Sequence, residues 1–219
     1  ERTNSIFFMK TILNHLKYMK FSRRNFIRTT GAGLLASGLP SLASESMIRQ
    51  SGPASDKFRL AIAGYSFAKI NLDDSLKMMK RVNIGLLGVK DFHLPLNSTK
   101  EVIDQTLAKM KSFGVEPYGV GPIYMKSEAA VDQAFAYAKL VGVKLVVGGP
   151  DIQFLPYVEK KVKEYDFRLA IHNHGPDLPL YPSADDVWKE IKDLDPRIGF
   201  CFDIAHETRL GLDPIAAYL

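Results

Sequence analysis

The stretch Phe167-Arg168-Leu169-Ala170-Ile171-His172-Asn173-His174-Gly175 decides the fold. It is a short, mostly apolar run without strict alternation, the pattern of a parallel strand covered on both faces. It stops in polar, chemically capable residues. Side chains two apart on a strand point the same way, so His172 and His174 are expected together at the carboxyl end.

Similar runs recur on either side, at 58–67, 84–94, 115–124, 144–150 and 198–206. Helical segments separate them, at 74–82, 99–113, 130–140, 155–165 and 187–194. In the second of these, Ile103, Leu107 and Met110 are spaced four and three apart, a stripe facing the core. Ser98 with Glu101 predicts a capping box at its start, and Ser183 with Asp186 a second one further on. Four helix-to-strand joints centre on Asn83, Gly114, Gly142 and Asp166, residue types that tolerate the left-handed conformation ending a helix.

Tandem βα units with right-handed crossovers give either a doubly wound sheet or a closed barrel. No G-x-G-x-x-G follows the first strand, where a dinucleotide-binding sheet would carry it. The polar residues cluster instead at the carboxyl ends of all the strands, as in barrels with a distributed site. The expected architecture is therefore an α/β TIM (β/α)8 barrel over residues 58–219, with about six βα units present. Eight units need roughly 250 residues, so a barrel truncated at its C-terminal end is expected.

The chain has 219 residues, 46% hydrophobic and 24% charged, a globular composition. Its net charge of +5 is unevenly placed: residues 1–46 hold seven of the 29 Lys and Arg and two of the 24 Asp and Glu. The remainder is neutral, which removes the basic surface that nucleic-acid binding needs. In the basic segment, Ser22-Arg23-Arg24-Asn25-Phe26-Ile27 forms a twin-arginine pattern. A mildly apolar stretch and a small-x-small site at Ser41-Leu42-Ala43 follow. The reading is a signal peptide with upstream residues over 1–46, its start expected at Met19, a linker over 47–57 and a periplasmic protein exported folded by the twin-arginine machinery, with no stable membrane anchor. Lone Cys201 excludes an internal disulfide and reads as a buried structural thiol.

Beyond the leader, the histidines are His93, His172, His174 and His206, each at the end of an expected strand. His172 and His174 suit a divalent metal, a base with a polariser, or a hydrogen-bonded structural pair. Asp203 follows the apolar run 199–202 and is either a metal ligand or a cap on backbone N–H groups. His206 could hold a substrate hydroxyl or act as an acid. Lys90 and Phe92 are expected on one strand face, Asp91 and His93 on the other, as a substrate rim or a solvated one. Tyr65 and Tyr124 line a sugar site or serve packing.

The HNHG at 172–175, the Asp-x-x-His at 203–206 and the βα rhythm together resemble the xylose isomerase-like TIM-barrel superfamily. Its members are known as sugar phosphate isomerases/epimerases, and the leader resembles their twin-arginine-exported branch. The resemblance implies a site for Mn²⁺, Mg²⁺, Co²⁺ or Zn²⁺ at the barrel mouth. On it, Asp203 matches the metal Asp, His206 the substrate-contacting His, and His174 the His of a Glu-Asn-His pattern. His172 stands where that pattern has its Glu, which keeps a metal ligand but removes a carboxylate base. The family's strand-seven His and strand-eight Glu would fall beyond Leu219, so weak metal binding and an inactive isolated chain are expected.

The implied function is a sugar isomerase or epimerase moving an α-proton through an ene-diolate on a sugar or keto-sugar. Its catalytic residues would be His172, His174 and His206, its metal ligands Asp203 and His172, and its substrate contacts Lys90, His93, Tyr65 and Tyr124. The alternatives are a 3-keto-glycoside lyase or hydratase on the same barrel, and a non-catalytic carbohydrate-binding or fragmentary barrel.

Overall fold

The computed structural model describes residues 59–218. The signal peptide expected over 1–46, the linker over 47–57 and Phe58 lie outside the described residues. Six strands form one sheet: β1 (Ile62–Ala63), β2 (Leu86–Val89), β3 (Glu116–Met125), β4 (Leu145–Pro150), β5 (Arg168–His172) and β6 (Ile198–Cys201). All neighbours pair in parallel, and their order in the sheet is their order in sequence. A doubly wound sheet reverses its order at a switch point. This one does not, and it curls into part of a (β/α)8 barrel, as the sequence leads one to expect.

Helices α1 (Leu72–Arg81), α2 (Lys100–Ser112), α3 (Glu128–Val141), α4 (Leu155–Tyr165) and α5 (Ala184–Ile191) fill the crossovers. Short helices α6 (Ile204–Arg209) and α7 (Pro214–Tyr218) follow β6. The four joints close as their residue types predict, with φ of 55° at Asn83, 74° at Gly114, 80° at Gly142 and 52° at Asp166. Ser183 and Asp186 form the reciprocal capping box of α5. The box expected at Ser98 is displaced: the Ser98 N–H bonds to Pro95 O in a turn, and Thr99 caps α2 instead.

Four expected strands end early, those over 58–67, 84–94, 167–175 and 198–206, because their last residues already belong to turns or helices: β1 stops at Ala63 and β5 at His172, which leaves His174 off the strand. After Val89 the chain turns, with the N–H groups of His93 and Leu94 both donating to Lys90 O. The alternation expected over 90–93 therefore does not exist. After Cys201 the chain passes into α6, so His206 stands on a helix and not on a strand.

The core lies where helix stripes meet the sheet. Ile103 and Met110 of α2 are buried and Leu107 packs partly against them, as the spacing required. Leu76, Met79, Phe135, Val158 and Val162 do the same from α1, α3 and α4. Each such side chain contributes about 1.5–3 kcal/mol by leaving water. That burial fixes the strands, and the strands bring their carboxyl ends to one rim. No helix among the described residues is long and apolar enough to cross a membrane.

Candidate active site

A cavity of about 730 Å³ occupies the inside of the curl. Every strand reaches it, through Ala63, Gly88, Val120, Val147, His172 and Cys201. Its size is that of small-molecule sites in general.

The sequence's Asp-x-x-His becomes a helix start. Asp203 Oδ1 caps α6, accepting from Ala205 N at 2.9 Å and His206 N at 3.3 Å. That leaves Oδ2 for the cavity, 3.5 Å from His172 Nε2 and 3.7 Å from His206 Nε2. The cap on backbone N–H groups is thus observed on Oδ1, while Oδ2 is left facing the two imidazoles. The three ligand atoms lie within 4.8 Å of one another, a spacing that suits one cation.

His174 is arranged differently. Its Nδ1 lies 3.1 Å from the Leu180 carbonyl, which can only accept, so Nδ1 carries the proton. Nε2 then bears a lone pair, buried and without a hydrogen-bond partner. Tyr124 stacks on the ring at 5.4 Å between centroids, and the His172 ring is 5.0 Å away. Burial holds His174 below the ordinary histidine pKa, as it does His172, whose neighbour His174 adds to the shift. Both are neutral at pH 7. Gly175, at φ 71°, makes the turn after His174, and a Cβ there would stand 3.0 Å from His206 Nδ1.

Tyr65 and Tyr124 line the same cavity as these histidines. Lys90 and His93 do not. The Lys90 ammonium donates to Pro122 O at 3.0 Å and pairs with Asp91 at 2.7 Å. His93 is turned away to donate Nε2–H to Ile70 O at 2.8 Å, with its ring edge-on to Phe92. Cys201 lines the floor, and burial pushes its thiol up, away from nucleophilic use.

Sequence reasoning passed over three groups. Arg209 donates to His206 Nδ1 at 3.2 Å and ion-pairs with Asp177 at the cavity rim. Asn173 Oδ1 accepts from Asp203 N at 2.7 Å, and its Nδ2 donates to Asp203 O at 3.1 Å. Glu207 is fully buried, and its Oε1 accepts from Asn173 Nδ2 at 2.8 Å and Ala184 N at 2.7 Å. The position of Asn173 between two site histidines was the one available signal.

No family profile matches the chain, and no curated protein matches it in sequence. Solved structures do. An uncharacterised protein from Parabacteroides distasonis is 26% identical, with a TM-score of 0.62 over 73% of this chain and 69% of that one. A xylose isomerase domain protein from Alicyclobacillus acidocaldarius is 15% identical, with a TM-score of 0.52 over 70% of this chain and 66% of its own. The fold is a partial (β/α)8 barrel like those of these neighbours. A 3-keto-D-glucoside 4-epimerase from E. coli shares the fold at 12% identity, with a TM-score of 0.57 over 74% of each chain. This chain thus spans about two thirds to three quarters of their lengths.

Proposed function

We propose that the protein is a sugar isomerase or epimerase that moves a proton from a carbon beside a carbonyl, with His174 as the base. The observation that carries the reading is the cavity wall shared by His172, His174, Asp203 and His206, in which His174 Nε2 keeps a lone pair without a hydrogen-bond partner just beneath the surface. The fold shared with a 3-keto-glucoside epimerase supports the same class.

Two imidazoles and a carboxylate fit Mn²⁺, Co²⁺ or Zn²⁺ by donor type. The support behind them is thin. Metal-bound histidines usually donate their other N–H to an acceptor, whereas His172 Nδ1 has no partner, and the Arg209 donor at His206 Nδ1 keeps that ring's proton on Nε2, so His206 can ligate only after Arg209 leaves it. Weak binding follows. When bound, a divalent cation supplies electrophilic stabilisation for negative charge developing on a sugar oxygen.

The chain's own residues do the rest. Leu180 O keeps the His174 proton on Nδ1, so Nε2 is ready to accept one. Tyr124 holds the ring from one face and, with Tyr65, offers aromatic surface to a sugar. A proton returned to the neighbouring carbon gives an isomer; returned to the other face of the same carbon, it gives an epimer. Arg209 is offset by Asp177, and no Gly-rich phosphate loop was found, which favours an unphosphorylated substrate. The twin-arginine pattern supports a periplasmic location.

The test is hydrogen exchange in D₂O with Mn²⁺, followed by proton NMR on ketoses and 3-keto-glycosides. Deuterium is expected at the α-carbon, at a rate falling at least about 100-fold in His174→Ala. Aglycone release would assign the elimination chemistry of a lyase instead. Sugar binding without exchange would make this a binding barrel.

A further inference from the structure

We infer that Glu207 is a positioning residue for the candidate cation site, acting on Asp203 through the Asn173 amide. The inference rests on the cation-site reading above, but the contact it invokes is testable without a metal.

A carboxylate withdrawn completely from water is costly unless its bonds repay it. Glu207 has two strong donors on Oε1 and none on the buried Oε2. What those bonds fix is the Asn173 side chain, itself only 1% exposed. A carboxylate only accepts, so the Asn173 NH₂ must turn toward Glu207 and its Oδ1 toward the Asp203 N–H. That orientation lets one side chain bond both the N–H and the C=O of Asp203.

The β5–β6 ladder ends at the His172–Cys201 pair. Asn173 replaces a strand neighbour just beyond it. Glu207 lies one turn after Asp203 on α6, so it ties α6 to the end of β5 and, through Ala184, to the start of α5. His172, Asp203 and His206 all flank this knot. Loosening it would free Asp203 to rotate its Oδ2 away from the two imidazoles.

The experiment uses the full chain with Glu207→Leu, which keeps volume, Glu207→Gln, which keeps an acceptor oxygen, and Asn173→Ala. Two readouts are taken: Co²⁺ titration with its visible absorption spectrum, and NMR hydrogen exchange of the Asp203 amide without metal. For Glu207→Leu we expect Co²⁺ affinity to fall about 10–100-fold with an altered spectrum. We also expect Asp203 to exchange about tenfold faster or more while the β4 amides keep their rates. Glu207→Gln should restore both, and Asn173→Ala should reproduce both losses with Glu207 intact.

Unchanged Asp203 exchange in Glu207→Leu and Asn173→Ala would overturn the inference. So would a uniform rise in exchange across β4 and Asp203 with the cobalt spectrum preserved, which is the mark of packing alone. A wild-type chain that takes up no Co²⁺ removes the cation reading, and the Asp203 exchange rates then decide the clamp by themselves.

Discussion

Burial holds His172 and His174 below the ordinary histidine value of 6.5, so the folded chain keeps both rings uncharged where an unfolded chain would protonate them. Below pH 6.5 the unfolded state binds more protons than the folded one, and stability must fall as pH falls. Above it neither state is protonated and the effect vanishes. The melting temperature of the metal-free protein is therefore expected to be level from pH 8 to 7 and to drop between pH 6.5 and 5.5. The drop should be smaller in His174→Gln; equal drops in the two proteins would contradict the account. The nearness of His172 and His174 was legible, but not its cause: β5 ends at His172, and His174 stands beyond it at φ −117° and ψ −8°, so the turn rather than strand alternation brings the two rings within 5.0 Å. Glu207 was not legible, since a Glu on a short helix reads as solvated until Ala184 and Asn173 are seen to enclose it. His93 shows the converse: its place after an apolar run was legible, but the turn at Lys90 carries its ring to Ile70 O.

Among the elements, α5 joins β5 to β6 and begins at Ser183, whose Oγ accepts from Asp186 N at 3.2 Å while Asp186 accepts in return from Ser183. The Ser183 hydroxyl is also the main reason that the Asp186 carboxyl lies below its usual range. Ser183→Ala is expected to cost about 1 kcal/mol in urea unfolding and to move the Asp186 titration upward. No change in either would show that the box is idle. That box was readable from two residues at the right spacing. The one assigned to Ser98 was wrong by a single position, because the preceding Pro95 turn claims the Ser98 amide and leaves capping to Thr99. The joints at Asn83, Gly114, Gly142 and Asp166 were readable for a different reason: positive φ is a local demand that few residue types meet.

At the scale of the whole sheet, Phe135 of α3 is fully buried and packs its ring against Tyr165 and Phe167, joining α3, α4 and the start of β5. Phe135→Ala is expected to lower unfolding free energy by about 3–5 kcal/mol, and a loss under about 1 kcal/mol would mean the cluster repacks. The sequence favoured a barrel over a doubly wound sheet through where its polar residues fell. It could not give strand order, which is set by pairings between residues more than twenty positions apart. That order has a consequence for synthesis. Each strand pairs with the one made just before it, so a chain emerging from the ribosome can dock every new unit on a finished surface without waiting for a distant partner. His172 and His174 would be in place at the growing edge well before Asp203 and His206 are translated. The cation cluster is then complete only once Asp203 and His206 have arrived, and its occupancy would report that β6 and α6 have docked.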